Sequence, residues 1–176
     1  IWLLIIIVIQ FALQGCASGP KLYYHSFGFS TIDDNKNDIE VLDYQYGDCT
    51  KVRTLCAPKY RVAEGVSFRR YGTGGWYPRG ATLYVKWRIR EPGQVCEDRV
   101  DLTKRLPDNI DHYGVYFAVK GEQLYVYAMP RRGSSNTPPP LRKPMTESIA
   151  ADTHKYMIYP DSPKRYPYLI KKQEKR

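Results

Sequence analysis

Alternation of apolar and polar positions dominates the chain between Lys21 and Met129, and a period of two is the signature of half-buried strands. From Thr82 to Arg90, Leu83, Val85, Trp87 and Ile89 fall on one side, and Thr82, Tyr84, Lys86, Arg88 and Arg90 on the other. This predicts a strand with a cationic outer face. Glu91-Pro92-Gly93-Gln94 supplies proline and glycine where a type II turn needs them. The next strand, Val95 to Leu102, turns Cys96, Val100 and Leu102 inward and Glu97, Arg99 and Asp101 outward. The two outer faces carry opposite charges, so cross-strand pairs are expected. A second hairpin is predicted where Val115–Val119 and Leu124–Ala128 flank Lys120-Gly121-Glu122-Gln123. Upstream, Lys21–Thr31 and Ile39–Tyr46 read as strands of a hairpin with a long polar loop, Ile32–Asp38.

The remaining segments are less regular. Gly47–Gly65 lacks a period, and Val66–Tyr71 is a short strand candidate leading into a glycine-rich turn, Gly72–Gly80. Ser134, Ser135 and Pro138-Pro139-Pro140 mark a linker, and Met145–His154 reads as a short helix. The expected fold class is all-β: an antiparallel β-sandwich or open barrel of six to eight strands. An N-terminal signal or anchor segment precedes it, and an irregular basic C-terminal tail follows. The expected boundaries are a signal peptide at 1–15, a lipidated linker at 16–20, a β-rich globular domain at 21–129 and a proline-rich basic tail at 130–176.

The first 13 residues, Ile1 to Leu13, are apolar except for Gln10. That length fits the core of a signal peptide, which runs to roughly 7–15 residues, better than a spanning helix of roughly 20. The chain starts with Ile1 rather than Met, so a short basic leader is expected upstream. Leu13-Gln14-Gly15-Cys16 resembles the lipobox of bacterial lipoproteins, with an aliphatic residue, a tolerant position, a small residue and then cysteine. The resemblance implies that Cys16 is acylated and that the residues before it are removed. It also implies that acyl chains, each buried methylene contributing ~0.8 kcal/mol, tether the protein to a membrane. Ala17 resembles the residue that sorts such proteins to the outer membrane, facing the periplasm.

Charge sharpens this picture. Lys21–Met129 holds 16 basic and 14 acidic residues, whereas Pro130–Arg176 holds 11 and 4, so the net +9 sits mainly in the tail. A nucleic-acid-binding domain would be basic throughout, and export argues against that partner. A basic tail beside a membrane points to anionic lipid, lipopolysaccharide or an acidic protein. With Cys16 taken by lipid, three cysteines remain. Cys49 and Cys56 close a short polar loop and are the expected disulfide in an oxidising compartment, although spacing alone does not prove connectivity. Cys96 is then a lone buried thiol.

Catalytic chemistry is sparse. Asp33, Asn35 and Asn37 match the first ligands of a calcium loop, but Asp38 and Tyr44 stand where glycine and glutamate are needed. Gly72, Gly74 and Gly75 with Arg69, Arg70 and Arg79 suggest an anion cradle, yet no P-loop or dinucleotide fingerprint follows. His25, His112 and His154 lack metal-ligand spacing, and no nucleophile elbow or Ser-x-x-Lys occurs. No catalytic residue, metal site or cofactor is therefore expected, and His25 reads as a core or interface residue. The outward tyrosines and cations Tyr84, Lys86, Arg88, Arg90, Tyr125 and Tyr127 form the candidate binding surface, since Tyr and Arg are enriched in interface hot spots.

Several stretches resemble a group of uncharacterised proteobacterial putative lipoproteins: Tyr71-Gly72-Thr73-Gly74-Gly75, Pro78-Arg79-Gly80, Leu83–Ile89, Val100-Asp101-Leu102, Arg105-Leu106-Pro107 and Gln123–Tyr127. The resemblance supports the fold and an envelope location and is silent on activity. The expected function is a non-enzymatic, lipid-anchored envelope binding protein with a protein partner. By analogy with other small lipoproteins it could serve as an immunity protein against a type VI secretion lipase. The alternatives are a structural component contacting lipopolysaccharide or peptidoglycan, and an accessory subunit of a membrane complex that keeps Ile1–Leu13 as a helix.

Overall fold

A computed structural model describes residues 19–31, 39–51, 53–130, 147–150 and 153–161. The chain forms β1 (Leu22–Ser30), β2 (Ile39–Tyr46), β3 (Leu55–Cys56), one turn of helix α1 (Lys59–Ala63), β4 (Arg70–Pro78), β5 (Thr82–Ile89) and β6 (Val95–Asp101). Then follow β7 (Tyr113–Lys120), β8 (Gln123–Pro130), β9 (Glu147–Ala150) and β10 (Thr153–Tyr159). They make an all-β sandwich. A six-stranded sheet runs β4-β1-β7-β8-β10-β9, and a four-stranded sheet runs β3-β2-β5-β6. Every pairing is antiparallel except β1 with β7.

Inward residues of each strand build the core, as alternation requires. Leu83, Val85 and Trp87 of β5 are buried, with Phe27 and Phe29 of β1, Tyr44 and Tyr46 of β2, and Val115 and Phe117 of β7. The centre is aromatic. Phe29 stacks on Phe117 with centroids 4.5 Å apart, and Phe27 stacks on Tyr46 at 5.0 Å. The latter pair joins one sheet to the other. The Trp87 indole N–H adds a second tie, donating to the Gly121 carbonyl in the β7–β8 turn at 2.9 Å.

The β5–β6 and β7–β8 hairpins form as expected, with Gly93 and Gly121 at positive φ in their turns. Three expectations need correction. First, β1 and β2 are not a hairpin: they lie in different sheets, and β1 pairs with β4 and β7. Second, Gly72, Gly74 and Gly75 are not in a turn but inside β4. Neighbouring rings fill the space that side chains would take. The Tyr77 ring lies over Gly75, where an added Cβ would meet it at 3.1 Å, and Tyr116 lies over Gly28 beside Gly72. Third, the sandwich does not stop at Met129. Residues 147–150 and 153–159 are strands of the larger sheet rather than a helix, and Ile158 joins the core. Arg105 anchors this return, donating to the Ile158 carbonyl at 2.6 Å and to both Asp161 carboxylate oxygens at 2.9 and 3.0 Å.

Candidate functional site

The outer face of β2, β5 and β6 carries the cationic row expected from sequence. Register places Glu40 opposite Arg88, Asp43 opposite Lys86 and Gln45 opposite Tyr84 on one flank. Glu97 lies opposite Lys86, and Arg99 opposite Tyr84, on the other. Glu40, 19 % exposed, lies 3.4 Å from Arg88 Nη1 and 2.9 Å from Arg90 Nη2. The Tyr84 hydroxyl donates to Glu97 at 2.7 Å, and the Arg99 guanidinium sits 5.0 Å over the Tyr84 ring. Desolvation, with the Glu97 hydrogen bond behind it, pushes the Tyr84 phenol up to about 12. The row thus meets acids of its own molecule on both sides. Glu40 is the main compensating residue of Arg88 and Arg90, where Glu97 and Asp101 were expected. Asp101 instead accepts from the Thr103 N–H at 2.8 Å.

Tyr125 and Tyr127 do not join this surface. They lie on β8 in the opposite sheet, where Leu124, Val126 and Ala128 take the inward positions. Tyr125 is only 7 % exposed, and burial raises the pKa of Tyr127. The six residues are therefore split between two outer faces of the sandwich.

Other sequence candidates are placed as follows. Cys49 and Cys56 are disulfide-bonded, with Cα atoms 6.1 Å apart. Cys96 is a free thiol, half-buried rather than buried, and its pKa is raised by desolvation and by Glu122. Arg79 holds no free cradle: it donates to the carbonyls of Pro107, Thr103 and Leu106 at 2.7–2.9 Å. His25 is a core residue, 2 % exposed. Its Nδ1–H donates to the Tyr23 carbonyl at 3.1 Å, and Nε2 and the nearby Tyr46 hydroxyl are buried without partners. Cys16, the segment Ile1–Leu13 and the Asp33–Asn37 loop lie outside the described residues. Among the described residues, no group of His, Cys, Asp and Glu could hold a metal ion, and no helix is long and apolar enough to cross a membrane.

A further exposed surface lies on the larger sheet. On the outer face of β4 and β1, Arg70, Gly72, Gly74 and Trp76 stand beside Ser30, Gly28, Ser26 and Tyr24. Trp76 is 56 % exposed and meets Tyr24 edge-on at 5.6 Å. The signal was in the sequence: from Arg70 to Tyr77, residues alternate Arg/Gly/Gly/Trp with Tyr/Thr/Gly/Tyr. Glycine, which is depleted in strands, concealed that period. Comparison with known proteins finds no family model, no curated protein and no solved structure that matches the chain.

Proposed function

We propose that this chain is an exported, lipid-anchored binding module of the cell envelope, tethered through Cys16 and acting by protein contact rather than catalysis. The observation that carries export is the Cys49–Cys56 disulfide, since such bonds persist in oxidising compartments and are rare in the cytosol. The apolar segment ending in Leu13-Gln14-Gly15-Cys16 supplies the matching address. Only five residues separate Cys16 from Leu22, a reach of about 20 Å at full extension, so acylation would hold β1 close to the bilayer. A non-catalytic role is supported by how the polar side chains are used. Arg88 and Arg90 with Glu40, Tyr84 with Glu97, and Arg105 with Asp161 pair off within the chain instead of converging on one point. The test is Cys16→Ser in the full chain. Release from the membrane pellet, or accumulation of an unprocessed precursor, is expected. Mass spectrometry that finds Ile1–Gly15 intact on the mature wild-type protein would overturn the proposal.

A further inference from the structure

Among the described residues, four strands end the two sheets, and three are guarded against pairing with another chain. β3 has two residues and β9 four. β6 carries Glu97, Asp98, Arg99 and Asp101. Short length and charge are the usual protections of an edge. β4 has neither: it runs nine residues, with no charge from Tyr71 to Pro78 and Pro78 only at its end.

The direction of its free hydrogen-bonding groups follows from one contact. Thr31 N–H donates to the Arg69 carbonyl at 2.8 Å, so Thr31 and Arg69 form a hydrogen-bonded pair. Such pairs alternate along an antiparallel ladder. In the uninterrupted β1–β4 register, Tyr71, Thr73, Gly75 and Tyr77 therefore bond β1. Arg70, Gly72, Gly74 and Trp76 turn their N–H and C=O groups to the open edge, and all four are exposed.

We propose that β4 is a self-association edge, pairing antiparallel with β4 of a second copy about a two-fold axis at Gly74. This register sets Gly74 against the partner's Gly74, and Gly72 against the partner's Trp76. Each exposed indole then covers a position that has no side chain, as Tyr77 covers Gly75 within one copy. Arg70 lies diagonal to the partner's Trp76, within reach of its ring face. The four-residue spacing of Gly72 and Trp76 about the central Gly74 makes the strand complementary to itself, which favours a second copy over an unrelated strand. The inference does not depend on Cys16.

The test is oxidative cross-linking of the full chain in detergent, in a Cys96→Ser background, with that background alone as the baseline. Opposed residues of a hydrogen-bonded pair have Cα atoms ~5.5 Å apart, within disulfide reach. Gly74→Cys is therefore expected to give a covalent dimer above baseline, and Gly72→Cys is not. Gly74→Lys has room, since an added Cβ would come no closer than 3.9 Å to Ser26 Cβ. It is expected to keep the far-ultraviolet spectrum and weaken association about tenfold or more, the factor that ~1.4 kcal/mol represents. Equal cross-linking of Gly72→Cys and Gly74→Cys, or none from either, would overturn the proposal. So would capture of a different protein by Gly74→Cys in place of a second copy. The cysteine pair decides the matter even if Gly74→Lys fails to fold.

Discussion

The Tyr159 hydroxyl donates a 2.8 Å hydrogen bond to the Asp98 carboxylate, joining β10 of the larger sheet to β6 of the smaller. Desolvation, followed by this bond, pushes the Tyr159 phenol up to about 12 from 10.0. Tyr84 is pushed to about 12 in the same way, and burial raises the buried Tyr44 and Tyr46 further. A folded pKa above the unfolded one means that the folded state prefers the neutral phenol. The resulting stability is complete below pH 10 and is lost as pH rises through 12. Denaturant midpoints are expected to hold level from pH 9 to 10 and to fall steadily from pH 10 to 12. Tyr159→Phe is expected to cost about 1 kcal/mol at neutral pH and to make the alkaline decline shallower. An unchanged slope would mean that Tyr159 titrates as it does in the unfolded chain.

Glu40 gives a second prediction. It is the shared acid of Arg88 and Arg90. Both arginines are more than a third exposed, so each pair contributes only a fraction of a kcal/mol to about 1 kcal/mol, reduced further by salt. Arg88→Glu and Glu40→Ala are both expected to lower the thermal midpoint slightly, with the difference fading in 1 M salt. Association with a partner is expected to be unchanged by Arg88→Glu, because the row is already compensated. An unchanged midpoint with lost co-purification would instead make this face a docking site for an acidic partner.

His25 is expected to weaken the fold in mild acid. Burial holds its pKa below 6.5, opposed by the Tyr23 carbonyl and the Asp111 charge. Its surroundings are the rings of Tyr46 and Tyr77, 5.7 and 5.9 Å away, with no partner for Nε2. With the folded pKa depressed, the contribution is complete above pH 6.5 and is lost as pH falls through the folded value. Stability is expected to drop between pH 6.5 and 5, before most carboxylates titrate. His25→Phe is expected to flatten that part of the profile. A wild-type midpoint that holds level to pH 5 would show that His25 charges without cost.

These features differ in how far sequence reveals them. The β5–β6 and β7–β8 hairpins were legible because each register is set by a local turn, Gly93 or Gly121, beside clear alternation. Alternation in Lys21–Thr31 and Ile39–Tyr46 indicates which face is buried, not which sheet the strand joins. Phe27 finds Thr73 and Val115 as ladder neighbours, far along the chain. The cationic row was legible as a row. Its compensation by Glu40, 48 residues from Arg88, was not. Glycine disguised β4 as a turn, because the rings that cover its glycines belong to Tyr77, two residues along the same strand, and to Tyr116 on β7. Prolines and basic residues around Thr153–Tyr159 gave that segment the composition of a tail, whereas Ile158 lies in the core with Tyr156 and Tyr159 packed against it.

That last misreading leads to a truncation experiment. A chain ending at Pro130 loses β9 and β10, which leaves β8 as an open edge of eight residues. Ile158, 6 % exposed, leaves the core, at about 1.5–3 kcal/mol for burial of such a side chain. Arg105 loses the Ile158 carbonyl and both Asp161 oxygens, and Asp98 loses the Tyr159 hydroxyl. Hydrogen bonds involving charged groups contribute about 1.5–3 kcal/mol each, although partial exposure lowers this for Asp161 and brings the Asp98–Tyr159 bond to about 1 kcal/mol. Against a total stability of about 5–15 kcal/mol, the sum is a large fraction. The 1–130 chain is expected to aggregate through the β8 edge or to lose its cooperative transition, whereas a chain ending at Asp161 keeps all these contacts and should fold. Ile158→Ala isolates the packing part, at about 2–4 kcal/mol. Cooperative unfolding of the 1–130 chain at the midpoint of the 1–161 chain would show that β10 rests on the sandwich without supporting it.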